Sequence, residues 1–279
     1  MLRNIVIDPY IKNALLEDIG YDDISTSSSV KDFPAEVSLI SKDEGIISGL
    51  SVFLRVFQVL ESEATFDTKK KDGDFVTNGE LIGKVYASAP TLLTAERVAL
   101  NYLQRMSGIS TYTNAMVNAL DDSKICVVDT RKTTPNMRIF EKYAVLVGGG
   151  KNHRYNLADN VMLKDNHIDA AGSISSAIDL ARKNSPFVSK IEVETETLGA
   201  VKEALDAGAD IIMLDNMDIE TVKKASRLIN GKAEIECSGN ITLETIKNYK
   251  GLDIDYISSG AITYLAKPLD LSMKNLRAV

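Results

Sequence analysis

Two adjacent cations stand in the heptapeptide DTRKTTP at residues 129–135, directly after the apolar run ICVV. Like charges repel, and a charge beside a buried strand loses hydration, so Arg131 and Lys132 need either a solvated loop or an anionic partner. The surrounding composition favours the partner, because residues 131–164 hold seven Lys or Arg against two acids, and both histidines of the chain lie in or just after this interval. In a chain of formal charge −7, this local excess of cations predicts an anion-binding pocket.

Polar residues follow other apolar runs in the same way. Predicted strand ends recur about every 21 residues, at Glu194, Asp215, Ser238 and Ser259. A regular alternation of strand and helix indicates a parallel sheet. No glycine fingerprint of a dinucleotide fold follows an early strand, which favours a barrel over a doubly wound sheet. In β/α barrels the reactive groups lie at the carboxyl ends of the strands, so these residues are expected to meet.

Three kinds of chemistry collect at these strand ends. Arginine binds carboxylates through paired hydrogen bonds and lysine adds a point charge, so a planar polycarboxylate fits the cations Arg131, Lys132, Arg154 and Lys164. Glu194 and Asp215 suit Mg²⁺ or the hydroxyls of a ribose that carries pyrophosphate, although Glu194 has the alternative of a salt bridge to a nearby lysine. The repeated Ser-Gly turns in ECSGNI and ISSGAI suit phosphate. Together they predict group transfer from a phosphorylated sugar to an anionic acceptor.

The elements that must position these groups divide near residue 110. Residues 36–90 show short alternating segments, a helix over SVFLRVFQVLES, and turn signals at 72–73 and 78–79, which predicts an α+β region. A long helix is predicted over 91–119, with a bend or break at Gly108. Later strands are predicted at 125–129, 160–164, 190–194, 210–214, 234–237 and 255–258, and helices at 197–207, 218–229 and 242–248. Gly208 is expected in a left-handed conformation where the 197–207 helix ends before the next strand.

Composition excludes several classes of protein. No apolar run reaches 18 residues and the first 20 residues carry early acids, so neither a membrane span nor a signal peptide is predicted. Cys126 and Cys237 stand in apolar runs 111 positions apart, which is typical of free thiols in a cytoplasmic protein. The acidic balance argues against nucleic acid as a partner. No Walker, CxxC or HExxH motif is present, so neither nucleotide hydrolysis, zinc chemistry nor an organic cofactor is predicted.

A longer stretch, DTRKTTPNMRIFEKYAVLVGGGKNHRYNLADNVMLKDNHI, closely resembles the core signature of the quinolinate phosphoribosyltransferase family (nicotinate-nucleotide pyrophosphorylase, carboxylating). The resemblance extends in order to EDIGYDDIST, ERVALNYLQRMSGIST, IEVETET, GADIIMLDN, ECSGNI and ISSGAIT. It implies an α+β domain over 1–110 and an incomplete, about seven-stranded α/β barrel over 111–265, with the tail 266–279 packed on the first domain. The additional strand is expected within AVLVG.

The family's activity, as the resemblance implies it, joins quinolinate to phosphoribosyl pyrophosphate and releases pyrophosphate and CO₂, giving nicotinate mononucleotide for NAD biosynthesis. Quinolinate would be bound by Arg105, Arg131, Lys132, His153, Arg154 and Lys164. The sugar substrate would be bound by Glu194, Asp215, Ser238, Gly239, Ser259 and Gly260. Lys132, Lys164, Glu194 and Asp215 would form the catalytic set, with the two acids holding Mg²⁺ directly or through water.

Arg105 would act in a neighbouring subunit's pocket, in a homodimer or a hexamer of dimers. The chain also departs from the family pattern, with Asp22, Asn136 and Asn240 at positions where glycine is usual and Thr195 where cysteine is frequent. After glycine, asparagine best tolerates left-handed backbone angles, so both asparagines are expected to preserve the local turns.

Three alternatives compete with this interpretation. Lys164 at a barrel strand end is also the position of a Schiff-base lysine, as in an aldolase. The segment KKDGDFVTNGELIGKV has the rhythm of a lipoyl or biotinyl carrier domain, although no hairpin lysine of that kind is present. A relative associated with molybdate uptake shares the implied fold, and its acceptor differs from quinolinate in that alternative.

Overall fold

A computed structural model describes residues 2–279 of the chain. They form two compact units, one of residues 2–114, 134–149 and 265–279, the other of residues 115–133 and 150–264. The first unit therefore includes a segment, 134–149, that begins within DTRKTTP at Thr134. Within the described residues no helix is long and apolar enough to cross a membrane.

The helices and strands follow one another in a mixed and then an alternating order. The chain contains, in sequence, α1 (Asn4–Ile19), α2 (Ile24–Ser29), β1 (Pro34–Ser41), β2 (Gly45–Ile46), α3 (Leu50–Leu60), β3 (Thr65–Thr68), β4 (Phe75–Val76), β5 (Leu81–Ser88), α4 (Ala89–Leu120), β6 (Cys126–Val128), α5 (Arg138–Val147), β7 (Val161–Leu163), α6 (Asp165–Ala171), α7 (Ile174–Asn184), β8 (Ile191–Thr195), α8 (Leu198–Asp206), β9 (Ile211–Asp215), α9 (Ile219–Ile229), β10 (Glu234–Ser238), a 3₁₀ turn (Ile246–Tyr249), β11 (Tyr256–Ser258), α10 (Ala261–Tyr264) and β12 (Leu271–Ala278).

The first unit is built on an antiparallel sheet in the order β12-β1-β5-β3. Glu36 of β1 accepts hydrogen bonds from Lys84 of β5 (2.8 Å) and Arg277 of β12 (2.7 Å), so one carboxylate ties the C-terminal strand into the sheet. The predicted turns at 72–73 and 78–79 are confirmed, because Gly73 and Gly79 both have left-handed backbone angles.

The second unit contains a six-stranded parallel sheet in the order β6-β11-β10-β9-β8-β7, with helices between successive strands. All six predicted strands are present within one or two residues of their predicted bounds. Helices α8 and α9 are capped at their N-termini by Thr197 and Asp218, whose side chains accept hydrogen bonds from backbone N–H groups of the first turn. Gly208, at φ +78°, lies in the turn from α8 to β9 as the sequence predicts. The α/β barrel-like fold is thus confirmed, with all strand carboxyl ends at one edge.

The long helix predicted over 91–119 is present, but the break predicted at Gly108 is wrong. Helix α4 runs without interruption, and a Cβ at Gly108 would lie 2.0 Å from the carbonyl oxygen of Lys267. Glycine therefore serves close packing here. Glycine inside a helix costs about 1 kcal/mol of helix stability relative to alanine. That cost is small beside the contacts that the close approach of α4 to the backbone of Lys267 allows.

Two further local predictions are corrected. The extra strand expected within AVLVG is helical in α5, because Phe140, Ala144 and Val145 share one buried face at helical spacing. The helix predicted over 242–248 is reduced to the 3₁₀ turn Ile246–Tyr249. Thr245 accepts the N–H of Thr242 through its hydroxyl, a local bond that competes with regular helix. Cys126 and Cys237 are free thiols, as predicted.

Candidate active site

A cavity of about 570 Å³ lies at the carboxyl ends of the strands in the second unit. Its lining comes from all six strand ends, although the sequence separates them by more than a hundred residues. Apart from Arg105, every residue predicted for the site lines it: Arg131, Lys132, His153, Arg154, Lys164, Glu194, Asp215, Ser238, Gly239, Ser259 and Gly260. The structure therefore brings the cations, the acids and the Ser-Gly turns into one space.

Two arginines, Arg131 and Arg154, line this cavity. Burial lowers the pKa of Arg154, and repulsion by the Arg131 cation lowers it further. The guanidinium of Arg154 also contacts the sulfur of Met162 at 3.1 Å, which is a weak acceptor. An anion that binds to both cations would offset their repulsion.

Lys132 packs against a glycine that follows the neighbouring strand, β11. Its carbonyl accepts the hydroxyl of Thr263 at 2.8 Å, which fixes the backbone after β6. A Cβ at Gly260 would lie 3.0 Å from Cδ of Lys132 and 2.7 Å from the ring of Tyr264. Glycine at position 260 thus lets both side chains pack against the turn that follows β11.

Asp129 fixes the loop that carries the next two functional residues. Its carboxylate is fully buried and accepts the N–H of His153 (2.9 Å) and the side-chain amide of Asn152 (2.6 Å). A buried carboxylate that accepts hydrogen bonds of this kind stays in place because losing them would leave its charge unsatisfied. The first residue of DTRKTTP therefore positions His153 and Arg154.

Two acids that sequence reasoning missed lie beside His153. Glu192 of β8 and Glu236 of β10 are only 3% and 2% exposed, and their carboxylates lie 3.1 and 3.2 Å from Nε2 of His153. A signal was available in IEVE and EIEC, where an acid interrupts an otherwise apolar parallel strand. Among the described residues Oε1 of Glu236 has no hydrogen-bond partner in the protein, and Glu236 lines the cavity.

This cluster of His153, Glu192 and Glu236 keeps a proton on the imidazole. Burial lowers the pKa of His153, but hydrogen bonds and attraction to the two acids outweigh burial and raise it to about 10. Nδ1 lies 2.6 Å from the backbone N of Arg154, which donates to it when the ring carries its single proton on Nε2. Nε2 donates to the acids in either protonation state. The three side chains also offer ligand atoms within 4.8 Å of one another, a spacing that a metal ion could use.

Glu194 and Asp215 have partners that leave them at the cavity wall. Glu194 forms an ion pair with Lys164, so both readings of the sequence, cavity acid and salt bridge, apply to it. Asp215 accepts the hydroxyl of Ser238 at 2.5 Å and the side-chain amide of Asn216 at 2.8 Å. Carboxylate oxygens are the ligands that Mg²⁺ prefers, and the ion usually keeps several of its water molecules. Because these two carboxylates already have partners, they suit an Mg²⁺ ion bound through its water molecules.

The two Ser-Gly turns have different local structures. Gly239 has φ +96°, and a Cβ there would lie 2.3 Å from Oδ1 of Asn216, so the turn after β10 requires glycine. After β11, the Ser259 hydroxyl donates to the carbonyl of Ile241 at 2.6 Å and accepts the N–H of Ala261. Ser259 therefore shapes its turn through its side chain, and Ser238 bonds to Asp215.

The departures from the family pattern preserve local structure. Asn136 and Asn240 have φ +63° and +51°, which confirms that asparagine takes over the left-handed angle of glycine. Thr195 is buried and donates its hydroxyl to the carbonyl of Met213 at 2.8 Å. The carboxylate of Asp22 accepts the hydroxyl of Ser27 at 2.9 Å.

Arg105 is the predicted site residue that the cavity of the second unit does not include. It lies on α4, where its Nε and Nη2 donate to Oε1 of Glu141 at 2.9 Å and its Nη1 donates to the carbonyl of Ala266 at 3.1 Å. Glu141 is fully buried and also accepts the N–H of Thr134. Arg105 is thus held by an acid of its own unit.

Comparison with known proteins covers nearly the whole chain. Profiles of the quinolinate phosphoribosyl transferase N-terminal and C-terminal domains match residues 23–107 and 109–274. The first match includes the segment that had suggested a carrier domain. A probable nicotinate-nucleotide pyrophosphorylase (carboxylating) of Bacillus subtilis is 42% identical over 272 residues, covering 98% of this chain and 94% of that protein. A chloroplastic nicotinate-nucleotide pyrophosphorylase (carboxylating) of Arabidopsis thaliana is 42% identical, covering 95% of this chain and 81% of that protein.

Solved structures agree with the sequence comparison. NadC from Streptococcus pyogenes matches with a TM-score of 0.97 and 52% identity, covering 100% of this chain and 99% of that one. The nicotinate-nucleotide pyrophosphorylase from Francisella tularensis matches with a TM-score of 0.93 and 34% identity over 99% and 98% of the two chains. On the matched domains and the identity of these relatives, the chain belongs to the quinolinate phosphoribosyltransferase family.

Proposed function

We propose that the protein transfers the phosphoribosyl group of phosphoribosyl pyrophosphate to quinolinate, with decarboxylation, in the biosynthesis of NAD. The observation that carries this proposal is the single cavity that holds four cations, two wall acids and two Ser-Gly turns. A pyridine dicarboxylate offers two adjacent carboxylates to the cations Arg131, Lys132, Arg154 and Lys164. The acids and turns on the opposite strand ends supply hydroxyl and phosphate contacts for the sugar.

The chemistry needs positioning and charge more than a nucleophilic side chain. The pyridine nitrogen bonds to C1 of the ribose as the bond from C1 to the pyrophosphate oxygen breaks and its electron pair leaves with pyrophosphate. Glu194 and Asp215 favour the positive charge that develops on the sugar, and the cations orient the ring nitrogen. The carbon–carbon bond to the 2-carboxylate then breaks, and its electron pair stays on a ring carbon beside the positive nitrogen until a proton is added.

Mg²⁺ is proposed to enter with the sugar substrate. When bound it would offset the charge of the pyrophosphate leaving group. Glu194 and Asp215 are the carboxylates that would hold it. Their support is that carboxylate oxygens bind Mg²⁺ well, either directly or through its water molecules. A cytoplasmic location is proposed from the two free thiols.

A dimer is proposed as the active form, with Arg105 of each subunit contributing to the partner's cavity. In support, helix α1 leaves apolar side chains exposed, among them Ile5 (83%) and Leu16 (67%), and Tyr21 after it is 91% exposed. Apolar side chains that a helix leaves exposed can be covered at a protein interface. The ion pair with Glu141 fixes the direction of the Arg105 guanidinium. A fixed guanidinium would suit a residue that acts in the cavity of the partner subunit.

The activity is tested by incubating purified protein and Mg²⁺ with phosphoribosyl pyrophosphate and either quinolinate or nicotinate. Release of CO₂ and formation of a pyridine nucleotide with quinolinate are expected. Turnover of nicotinate without release of CO₂ would mean that nicotinate is the acceptor. No turnover of quinolinate, while another pyridine or a purine reacts, would refute the proposal. Borohydride treatment should leave no adduct on Lys164, whereas a trapped adduct would favour the aldolase alternative.

The dimer is tested by mixing two inactive variants, Arg105→Ala and Lys164→Ala. Random reassociation places both intact residues in one site of each mixed dimer, so activity should recover to about a quarter of the wild-type value. Each variant alone, reassociated in the same way, is the control. If the mixture stays as inactive as its components although mixed dimers form, Arg105 acts within its own subunit.

A further inference from the structure

The cluster formed by His153, Glu192 and Glu236 is not explained by the roles assigned above. Two nearly buried carboxylates lie beneath a cavity that is proposed to bind a dianion, where negative charge would oppose binding. Charged groups are rarely buried without a specific partner, and the partner here is the imidazole of His153. Their placement therefore calls for a role that acts through this ring.

The geometry gives the two acids a common target. Oε2 of Glu192 and Oε2 of Glu236 lie 3.1 and 3.2 Å from the same nitrogen, Nε2 of His153, although they belong to strands β8 and β10. One N–H shared between two carboxylates cannot rotate away from either without leaving a buried charge unsatisfied. The ring is held from two sides, as a metal-bound or catalytic histidine is held by a carboxylate partner.

The ring in turn holds Arg154. With Nε2 committed to the acids, Nδ1 accepts the N–H of Arg154 at 2.6 Å, and Asp129 fixes the N–H of His153 from the other side. Successive backbone amides at 153 and 154 are thus both fixed by buried groups. Arg154 lines the cavity, where the charge of Arg131 acts on its guanidinium.

We propose that Glu192 and Glu236 are positioning residues for the acceptor substrate, acting through His153 to fix Arg154 in the cavity. The inference rests on the proposed function, because it assigns the effect to the dicarboxylate and not to the sugar. The acids form no part of the sugar site in this proposal. Their loss should therefore separate the two substrates in a steady-state assay.

The kinetic test uses Glu236→Ala and Glu192→Ala, with Glu236→Gln and Glu192→Gln as variants that keep the side-chain shape. We expect each alanine variant to raise the KM for quinolinate about tenfold while the KM for phosphoribosyl pyrophosphate stays within about twofold. The glutamine variants retain an acceptor and should show smaller rises. Glu234→Gln, on the same strand but paired with Lys190 at its opposite end, is the matched control and should leave both values unchanged.

A double-mutant cycle with His153→Gln decides whether the acids act through the ring. If they do, adding Glu236→Gln to the histidine variant should raise the KM for quinolinate no further. Additive effects, or equal rises for both substrates in the alanine variants, would overturn the proposal. Activity of the wild-type protein is measured first, so failure of the proposed function is seen independently.

A spectroscopic readout does not depend on activity or on the variants' turnover. The chain has two histidines, so ¹⁵N-histidine spectra of the wild type and of a His167→Gln variant assign the signals of His153. A proton bound to Nε2 and slow to exchange is expected, and the Glu192→Gln, Glu236→Gln double variant should make it exchange faster. A His153 ring without a proton on Nε2, or with exchange unchanged in the double variant, would overturn the proposal.

Discussion

The two ends of the barrel strands use their charged side chains in different ways. At the amino ends, Lys190 pairs with Glu234 at 2.5 Å and Arg182 with Asp210 at 2.9 Å. Asp210 also accepts the N–H of Ile191 at 2.7 Å. Charged groups at this end pair with one another and accept hydrogen bonds from the first backbone groups of the strands. They therefore have a structural role.

At the carboxyl ends, charged side chains instead line open space. Lys164 pairs with Glu194 there, but Arg131 and Arg154 line the same cavity and repel each other. Like charges beside one cavity cost stability in the absence of ligand and are retained at sites that bind one. The placement of like charges around a cavity therefore distinguishes the binding end from the structural end.

The largest effect is expected from Arg131→Ala. Loss of charged hydrogen bonds to a carboxylate costs about 2 to 3 kcal/mol, so the KM for quinolinate should rise about 30- to 160-fold with little change for phosphoribosyl pyrophosphate. Steady-state kinetics with each substrate varied in turn measures both values. Arg182→Ala removes an equally charged group at the amino end and should change neither. Equal losses for both substrates would contradict the assignment of Arg131.

Asp215→Asn tests the acids on the other wall. The amide keeps the shape and can still accept the Ser238 hydroxyl, but it loses the charge that favours a positive sugar. We expect kcat to fall about 10- to 100-fold, with the KM for quinolinate within about twofold. The counterpart at the amino end, Asp210→Asn, should retain kcat. Unchanged turnover in Asp215→Asn would remove this carboxylate from the catalytic set.

A steric comparison follows from two glycines with similar backbone angles. Gly239 (φ +96°) borders the cavity, where a Cβ would lie 2.3 Å from Asn216, whereas Gly231 (φ +71°) has nothing within 4 Å. Alanine at either position carries backbone strain of about 1 to 3 kcal/mol, visible in denaturant unfolding. Gly239→Ala should in addition raise the KM for phosphoribosyl pyrophosphate about tenfold. If Gly231→Ala does the same, the effect belongs to strain and not to the cavity.

The same contrast explains what the sequence revealed. The cations after β6 and the acids at the carboxyl ends of β8 and β9 were predictable because each stands at the end of its own apolar strand, and strand ends share one edge of a parallel sheet. Glu192 and Glu236 were missed because their significance depends on two strands converging on a histidine from a loop. Gly108 was misinterpreted for a related reason, since its partner, the carbonyl of Lys267, is 159 residues away in sequence.

The smallest effect is expected at the structural end, from Glu234→Gln. The pair with Lys190 is partly exposed, with side chains 36% and 51% accessible, and exposed ion pairs contribute at most about 1 kcal/mol. The free energy of unfolding in urea should fall by no more than this, and the difference from wild type should shrink in high salt because screening weakens the pair that is lost. Kinetic constants for both substrates should stay unchanged. A changed KM for either substrate would mean that charged groups at the amino ends influence binding in the cavity. The distinction between a structural end and a binding end would then be wrong.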